Sequence, residues 1–236
     1  MAFSRFVDEW FSGRFDGPTE IQRRAWEVIK RGENALIIAP AGSGKTLAAF
    51  LSAIDRLMMR GGGEEDEGSA EKPPAEAKGV RVLYISPLKA LGVDVERNLQ
   101  QPLAQISTLM LEREGIEVGV STGIRTGDTT PEQRRALVRK PPDILITTPE
   151  SLYLMLTSKA RETLAQVDTV IVDEIHSVAG TKRGAHLSLS LERLDALLAS
   201  PAQRIGLSAT VRPAEDVARF LGGVHPVTIV EETEPP

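Results

Sequence analysis

No cysteine occurs in the 236 residues of this chain, which excludes disulfides and thiolate metal sites. That composition suits a reducing cytoplasm, where we expect the protein to reside. Aromatics are scarce, at 4% of residues, so aliphatic side chains must dominate the packing. Hydrophobic residues reach 41%, enough for a sizeable core. The only histidines, His176, His186 and His225, lack metal-ligand spacing. No apolar run approaches the roughly 20 residues of a membrane helix. Arg5, Asp8 and Glu9 interrupt the N-terminus, so it has no signal-peptide pattern. We expect no membrane partner.

A positive excess is also lacking: the formal net charge is −5. Much of that lies in two places. Residues 61–79 carry Glu64, Glu65, Asp66, Glu67, Glu71 and Glu76 against Lys72 and Lys78, and the tail adds Glu231, Glu232 and Glu234. Without these segments the balance is slightly positive. Salt screens charges beyond about 8 Å, so acidic segments need not cancel a distant basic groove. Net charge does not exclude a nucleic-acid partner.

Residues 61–79 are rich in Gly, Glu, Pro and Ala without a hydrophobic period, and read as a flexible acidic insertion. The rest, residues 1–230, reads as one α/β domain, and 231–236 as a linker. Phe3, Phe6, Val7, Trp10 and Phe11 recur at helical spacing, a stripe better suited to core packing than to holding a base. Ile21, Ala25, Val28 and Ile29 mark a second helix before Gly32. Short apolar runs predict strands at 35–39, 80–85, 117–121, 143–147, 168–172, 204–208 and 227–230. Helices are expected after residue 44 and near 92–113, 131–139, 150–158, 184–199 and 213–221. Thr130-Pro131-Glu132-Gln133 reads as a capping box with proline at the first helical position, and Pro213 reads as a similar helix start. Strands alternating with helices imply a mainly parallel sheet covered on both faces. In such sheets ligands sit at the carboxyl ends of strands.

Residues 39–46 read A-P-A-G-S-G-K-T between a strand and an amphipathic helix. This is the phosphate-loop pattern with alanine for its first glycine. Ala41, Gly42, Ser43 and Gly44 would turn backbone N–H groups toward phosphate oxygens. Lys45 would neutralise the β and γ phosphates. The Thr46 hydroxyl would ligate Mg²⁺, a hard cation that prefers oxygen. A second strand, V-I-V, delivers Asp173 and Glu174. One carboxylate can hold Mg²⁺ and the other can orient and deprotonate the attacking water. His176 lies two residues further on, better placed to sense the nucleotide than to bind metal.

These segments together resemble the motifs of superfamily 2 helicases. Ala39 to Thr46 resembles motif I, and Asp173-Glu174-Ile175-His176 resembles motif II. Ser208-Ala209-Thr210 resembles motif III, Pro87 to Leu91 motif Ia, and Thr148-Pro149-Glu150 motif Ib. Gly17 to Gln22 resembles the upstream Q motif. The runs Ser86 to Leu91, Asp94 to Leu99, Arg125 to Thr129 and Lys182 to Leu187 are most similar to the large helicase-related (Lhr) group of DEAD/DEAH-box-type DNA helicases.

The resemblance implies a RecA-like P-loop NTPase fold and ATP with Mg²⁺ as ligands. It implies that Gln22 contacts adenine, with Phe11 or Phe15 as a stacking face, and that Asp173 and Thr46 hold Mg²⁺. Glu174 would be the general base, acting with Lys45. His176, Ser208 and Thr210 would couple nucleotide state to nucleic acid. Lys89, Arg125, Thr126, Thr148 and Glu150 would line a track for single-stranded or partly duplex DNA, or for RNA or RNA–DNA hybrids. Sequence-tolerant backbone contacts of this kind suit a translocase. A role in DNA repair is also implied. Lys182-Arg183 could equally be a solvated helix start.

Such motors pair two lobes, and the second brings motifs IV to VI with arginine fingers. None of these follows Thr210, so the chain is expected to be lobe one alone, weak in ATP binding and hydrolysis and unable to unwind. An RNA helicase lobe shares the same motifs. A GTPase would carry an N-K-x-D motif, which is absent; a P-loop kinase would need an acceptor lid, which is not evident. A non-catalytic module would have lost Lys45 or Glu174, and both are present.

Overall fold

A computed structural model describes residues 3–61, 79–87 and 89–232, except for the side chains of residues 61 and 89–91. The acidic run expected to be flexible and the last four residues lie outside this set. In chain order come α1 (Arg5–Ser12), α2 (Glu20–Lys30), β1 (Asn34–Ile38), α3 (Lys45–Gly61), β2 (Val82–Ile85), α4 (Lys89–Glu114), β3 (Thr122–Arg125) and α5 (Pro131–Arg139). They are followed by β4 (Ile144–Thr147), α6 (Pro149–Leu156), β5 (Thr169–Val172), α7 (Lys182–Leu197), β6 (Gln203–Ser208), α8 (Ala214–Gly222) and β7 (Val227–Glu231). The strands form one seven-stranded sheet in the order β3-β4-β2-β5-β6-β1-β7. Every pairing is parallel.

Side-chain alternation along the strands sorts two cores. Ile37, Val82, Tyr84 and Ile205 face a layer holding Phe6, Ile21, Leu51 and Leu99 from α1 to α4. Leu36, Leu83, Ile85 and Val170 face Leu152, Leu191 and Leu221 from α6, α7 and α8. The stripe on α1 is core: Phe6, Val7, Trp10 and Phe11 are all buried. Both the Thr19 and the Thr130 ends close as full capping boxes with Gln22 and Gln133.

Three expectations need correction. The strand read at 117–121 lies at Thr122–Arg125 instead. Val118 packs into the α1–α4 core, and the Asp143 carboxylate takes the Ser121 N–H and hydroxyl at 2.8 and 2.7 Å. The ladder therefore opens only after Ser121. Pro213 is the N-cap of α8, with extended backbone, and not its first helical residue. Finally, Glu231 is not linker: it pairs with Ile38 at the end of β7.

One buried cation stands out in β6. The Arg204 side chain is 2% exposed and reaches Glu192 at 3.0 Å and Asp195 at 2.6 Å. It also donates to the Leu221 carbonyl at 2.9 Å. This network ties a central strand to α7 and α8.

Candidate functional site

Because all strands run parallel, their carboxyl ends share one edge of the sheet. β1 runs into the glycine-rich loop, β5 into Asp173, β6 into Ser208, β4 into Thr148 and β3 ends at Arg125. The sequence separates Gly42 from Ser208 by 166 positions (208 − 42), and the sheet order gathers these residues.

The loop's conformation follows from its glycines. Gly42 and Gly44 have φ of 82° and 83°, the left-handed region that other residues adopt only at a cost. Lys45 then opens α3, whose first-turn N–H groups have no carbonyl within the helix to accept them. The Lys45 side chain is buried and its ammonium donates to the Pro40 carbonyl at 3.2 Å. The Ser43 hydroxyl is buried with no hydrogen-bond partner. Free N–H groups, a helix N-terminus, a cation and an orphaned hydroxyl fit a bound polyphosphate.

Gln22 lies against this loop. Its Oε1 accepts the Thr19 N–H at 3.0 Å, and its Nε2 donates to the Gly44 carbonyl at 3.3 Å. A Cβ on Gly44 would come within 2.4 Å of that Nε2, so glycine is needed for the close approach as well as for φ. Thr19 adds a bond from its hydroxyl to the Ser43 carbonyl at 3.3 Å. Both ends of the Gln22 carboxamide are thus engaged with protein, and what Gln22 touches here is the phosphate loop. Of the two candidate stacking rings, Phe11 is fully buried among aromatics. Phe15 is 39% exposed and lines a cavity of about 390 Å³ with Gly42, Gly44, Lys45 and Thr46.

Asp173 follows directly after β5 and is buried. Its Oδ1 accepts the Glu174 N–H at 2.9 Å, and Tyr84 on β2 donates its hydroxyl to Oδ2. Both oxygens keep a further lone pair, so the carboxylate is oriented while staying able to ligate a cation. Tyr84 is buried and stacks on Phe50 of α3, with ring centroids 5.0 Å apart. Burial, with Asp173 and Glu174 nearby, pushes its phenol pKa well up, which keeps it a donor. Sequence reading missed Tyr84. The available signal was a tyrosine in a buried strand, since a buried phenol hydroxyl needs a partner.

Glu174 is the one non-glycine residue with positive φ, 45°, among the described residues. Strain of this kind persists where neighbours hold it. His176 does so: its Nε2 lies 3.3 Å from Glu174 Oε2. Its Nδ1 accepts the Ala209 N–H at 3.3 Å and lies 3.2 Å from the Ser208 hydroxyl. The backbone N–H can only donate, so Nδ1 is unprotonated and the ring proton sits on Nε2, pointing at Glu174. His176 therefore bridges the acidic pair to the turn after β6. Thr210 is exposed in that turn. We expect long-range ¹⁵N–¹H spectra to show the Nε2–H tautomer at neutral pH; a protonated Nδ1 would refute the bridge.

The remaining strand ends hold the other candidates. Arg125 and Thr126 are buried at the end of β3, and Thr147 donates its hydroxyl to the Arg125 carbonyl at 2.7 Å. Thr148 caps α6, accepting the Ser151 N–H at 3.3 Å. Glu150 is held by Arg183 through two bonds of 2.5 and 3.0 Å, and this pairing pulls the Glu150 pKa down. Arg183 is thus more than a solvated helix start: it ties α7 to α6. Gly184 beside it lets α7 begin, since a Cβ there would lie 2.1 Å from the Val178 carbonyl oxygen. Lys89 opens α4, but its side chain lies outside the described residues. Among the described residues no helix is long and apolar enough to cross a membrane.

Comparison with known proteins agrees with this geometry. A DEAD/DEAH box helicase family model matches residues 19–218. The chain is 62% identical over 228 residues to the Lhr helicase/uracil glycosylase of Escherichia coli (strain K12), covering 97% of this chain and 14% of that protein. It is 52% identical to the ATP-dependent helicase Lhr-Core of Methanothermobacter thermautotrophicus, covering 92% of this chain and 24% of that protein. The solved structure of the Mycobacterium smegmatis helicase Lhr bound to ssDNA and AMP-PNP superposes with a TM-score of 0.87 at 59% identity, over 99% of this chain and 28% of that one. The fold is accordingly RecA-like, and the chain spans a small fraction of the relatives it matches. The chain belongs to the DEAD/DEAH box helicase family.

Proposed function

We propose that this chain is the first motor lobe of an ATP-dependent DNA helicase or translocase that works in the cytoplasm. The observation that carries this reading is the His176 bridge, which joins the acidic pair after β5 to the turn after β6 beside the phosphate loop. The loop's N–H groups and Lys45 would bind the ATP phosphates, Phe15 would stack on the base, and Gln22 would brace the loop beneath it. Thr46 and Asp173 would hold Mg²⁺, which when bound neutralises charge developing on the phosphates. Tyr84 would keep Asp173 aimed. Glu174 would orient and deprotonate the attacking water, with His176 reporting its state to Ser208 and Thr210. Arg125, Thr126 and Thr148 lie on the same edge, where phosphate backbone can be held by side chains and N–H groups without base reading. DNA is favoured over RNA because the solved Mycobacterium smegmatis relative was bound to ssDNA.

Lys45→Ala tests the reading on the chain itself. Removing a charge-assisted contact costs about 1.5–3 kcal/mol, so affinity for a fluorescent ATP analogue, followed by anisotropy, should fall about 10- to 100-fold. Equal affinity in the variant would remove the phosphate loop from the reading.

A further inference from the structure

We propose that a second phosphate-binding surface lies outside the strand-end track, in the cleft between α5 and the 3-10 turn Lys159–Leu164, and that it holds the backbone of the same nucleic acid. This rests on the motor reading above and extends it.

The cleft, of about 560 Å³, is lined by Arg125, Arg134, Arg135, Arg139 and Lys159, with Glu132 its only acidic residue. None of the five cations forms an ion pair among the described residues. Elsewhere on this acidic chain several arginines find carboxylates, as Arg31, Arg113, Arg183, Arg204 and Arg212 do. Arg125 is 9% exposed, and Arg134, whose Nη2 donates to the Gly127 carbonyl at 3.3 Å, has a buried Nε with no hydrogen-bond partner. Burial, and after it the nearby Arg134 guanidinium, lowers the Arg125 pKa. Arg125 and Arg134 are held together and partly out of water, which is costly unless an anion completes them, while Arg135, Arg139 and Lys159 stand exposed beside them.

The anion that fits is a chain of phosphates. Arginine forks match phosphate oxygens in pairs, and the cations are spread along α5 at residues 134, 135 and 139 and across to Lys159, as a backbone would require. None of the α5 residues is buried, so the helix is not arranged to serve the core. Arg125 belongs to both surfaces: it ends β3 beside Thr126 and Thr147. A strand leaving the track at Arg125 would therefore run directly into the cleft. An acidic protein segment would lack this continuity.

The test is binding of a labelled single-stranded oligothymidine across a salt series. Each cation that meets phosphate contributes about 0.7 to the slope of log K against log salt for a single strand. The triple variant Arg135→Gln/Arg139→Gln/Lys159→Gln should lower the slope by about 2 and weaken binding about 10- to 100-fold at 0.1 M salt. Thr148→Ala, which removes no charge, should weaken binding with the slope unchanged. In the unaltered chain, saturating oligonucleotide should protect Lys159 from acetylation. A triple variant that binds with the parent's affinity and slope, or a Lys159 that stays fully reactive, would overturn the cleft and leave the track reading intact. A parent that binds polyglutamate but no oligonucleotide would overturn both.

Discussion

Fused after Glu232 to the region that follows the matched segment in the Mycobacterium smegmatis relative, this lobe should hydrolyse ATP about 10³- to 10⁵-fold faster than it does alone, the range an arginine finger supplies. On the proposed reading, the lobe presents one half of a site. Lys45, Asp173 and Glu174 all lie on its strand-end edge, and in the proposed site Lys45, with the Mg²⁺ that Thr46 and Asp173 would hold, would meet the phosphates from that side alone. Charge on a transferring phosphoryl group spreads over its outer oxygens, and in the proposed motor the face away from this lobe would be left to a second one. Closure also excludes water and positions the nucleophile. The comparison is steady-state phosphate release by the lobe and by the fusion, with and without single-stranded DNA. DNA should stimulate only the fusion. Brisk DNA-stimulated turnover by the lobe as a monomer would contradict the half-site reading.

Arg204→Ala should cost about 3–5 kcal/mol of folding stability, the usual consequence of stranding one member of a buried ion pair. Asp195, with a side chain 11% exposed, would lose its cation. Only the Ala202 N–H, at 3.2 Å, would remain as its donor. For a chain of this size each kcal/mol lowers Tm by about 2–4 °C, so the midpoint should fall by about 6–20 °C. Adding Asp195→Ala should recover part of the loss, since the buried charge then disappears with its partner. A single variant within about 1 kcal/mol of the parent, by urea unfolding, would show that water reaches the network. The effect should extend to the site: Arg204 sits on β6, the strand that ends in Ser208 beside His176.

The sequence made legible whatever depends on close spacing. Gly42 to Thr46 and Asp173-Glu174 declare their chemistry within a few residues, and strand–helix alternation was enough to anticipate a parallel sheet. Features that depend on which strands become neighbours were not legible. Tyr84 reaches Asp173 only because β2 pairs with β5. Arg183 finds Glu150 only because α6 and α7 pack side by side. β3 was misplaced because T-G-I-R carries a single large apolar residue, while the better alternation just before it packs against helices. The resemblance gives Gln22 a base contact; that its carboxamide also meets Thr19 and Gly44 is a contact spacing alone does not encode. The cleft at Arg125 was half visible. Its first arginine was singled out, but the turn at Lys159 had no periodic signal.

The path of β7 sets where the chain departs. This strand pairs in parallel with β1, and Glu231 lies opposite Ile38, at the root of the phosphate loop. Arg24 grips the Glu231 carbonyl at 2.7 Å and Arg212 its carboxylate at 2.8 Å. Anything tethered beyond this clamp starts its excursion on the nucleotide side of the sheet rather than behind it. A short tether confines its cargo to an effective concentration in the millimolar range. In the proposed motor the edge strand would act as an anchorage that shortens the search for a closing partner before any contact between surfaces is made.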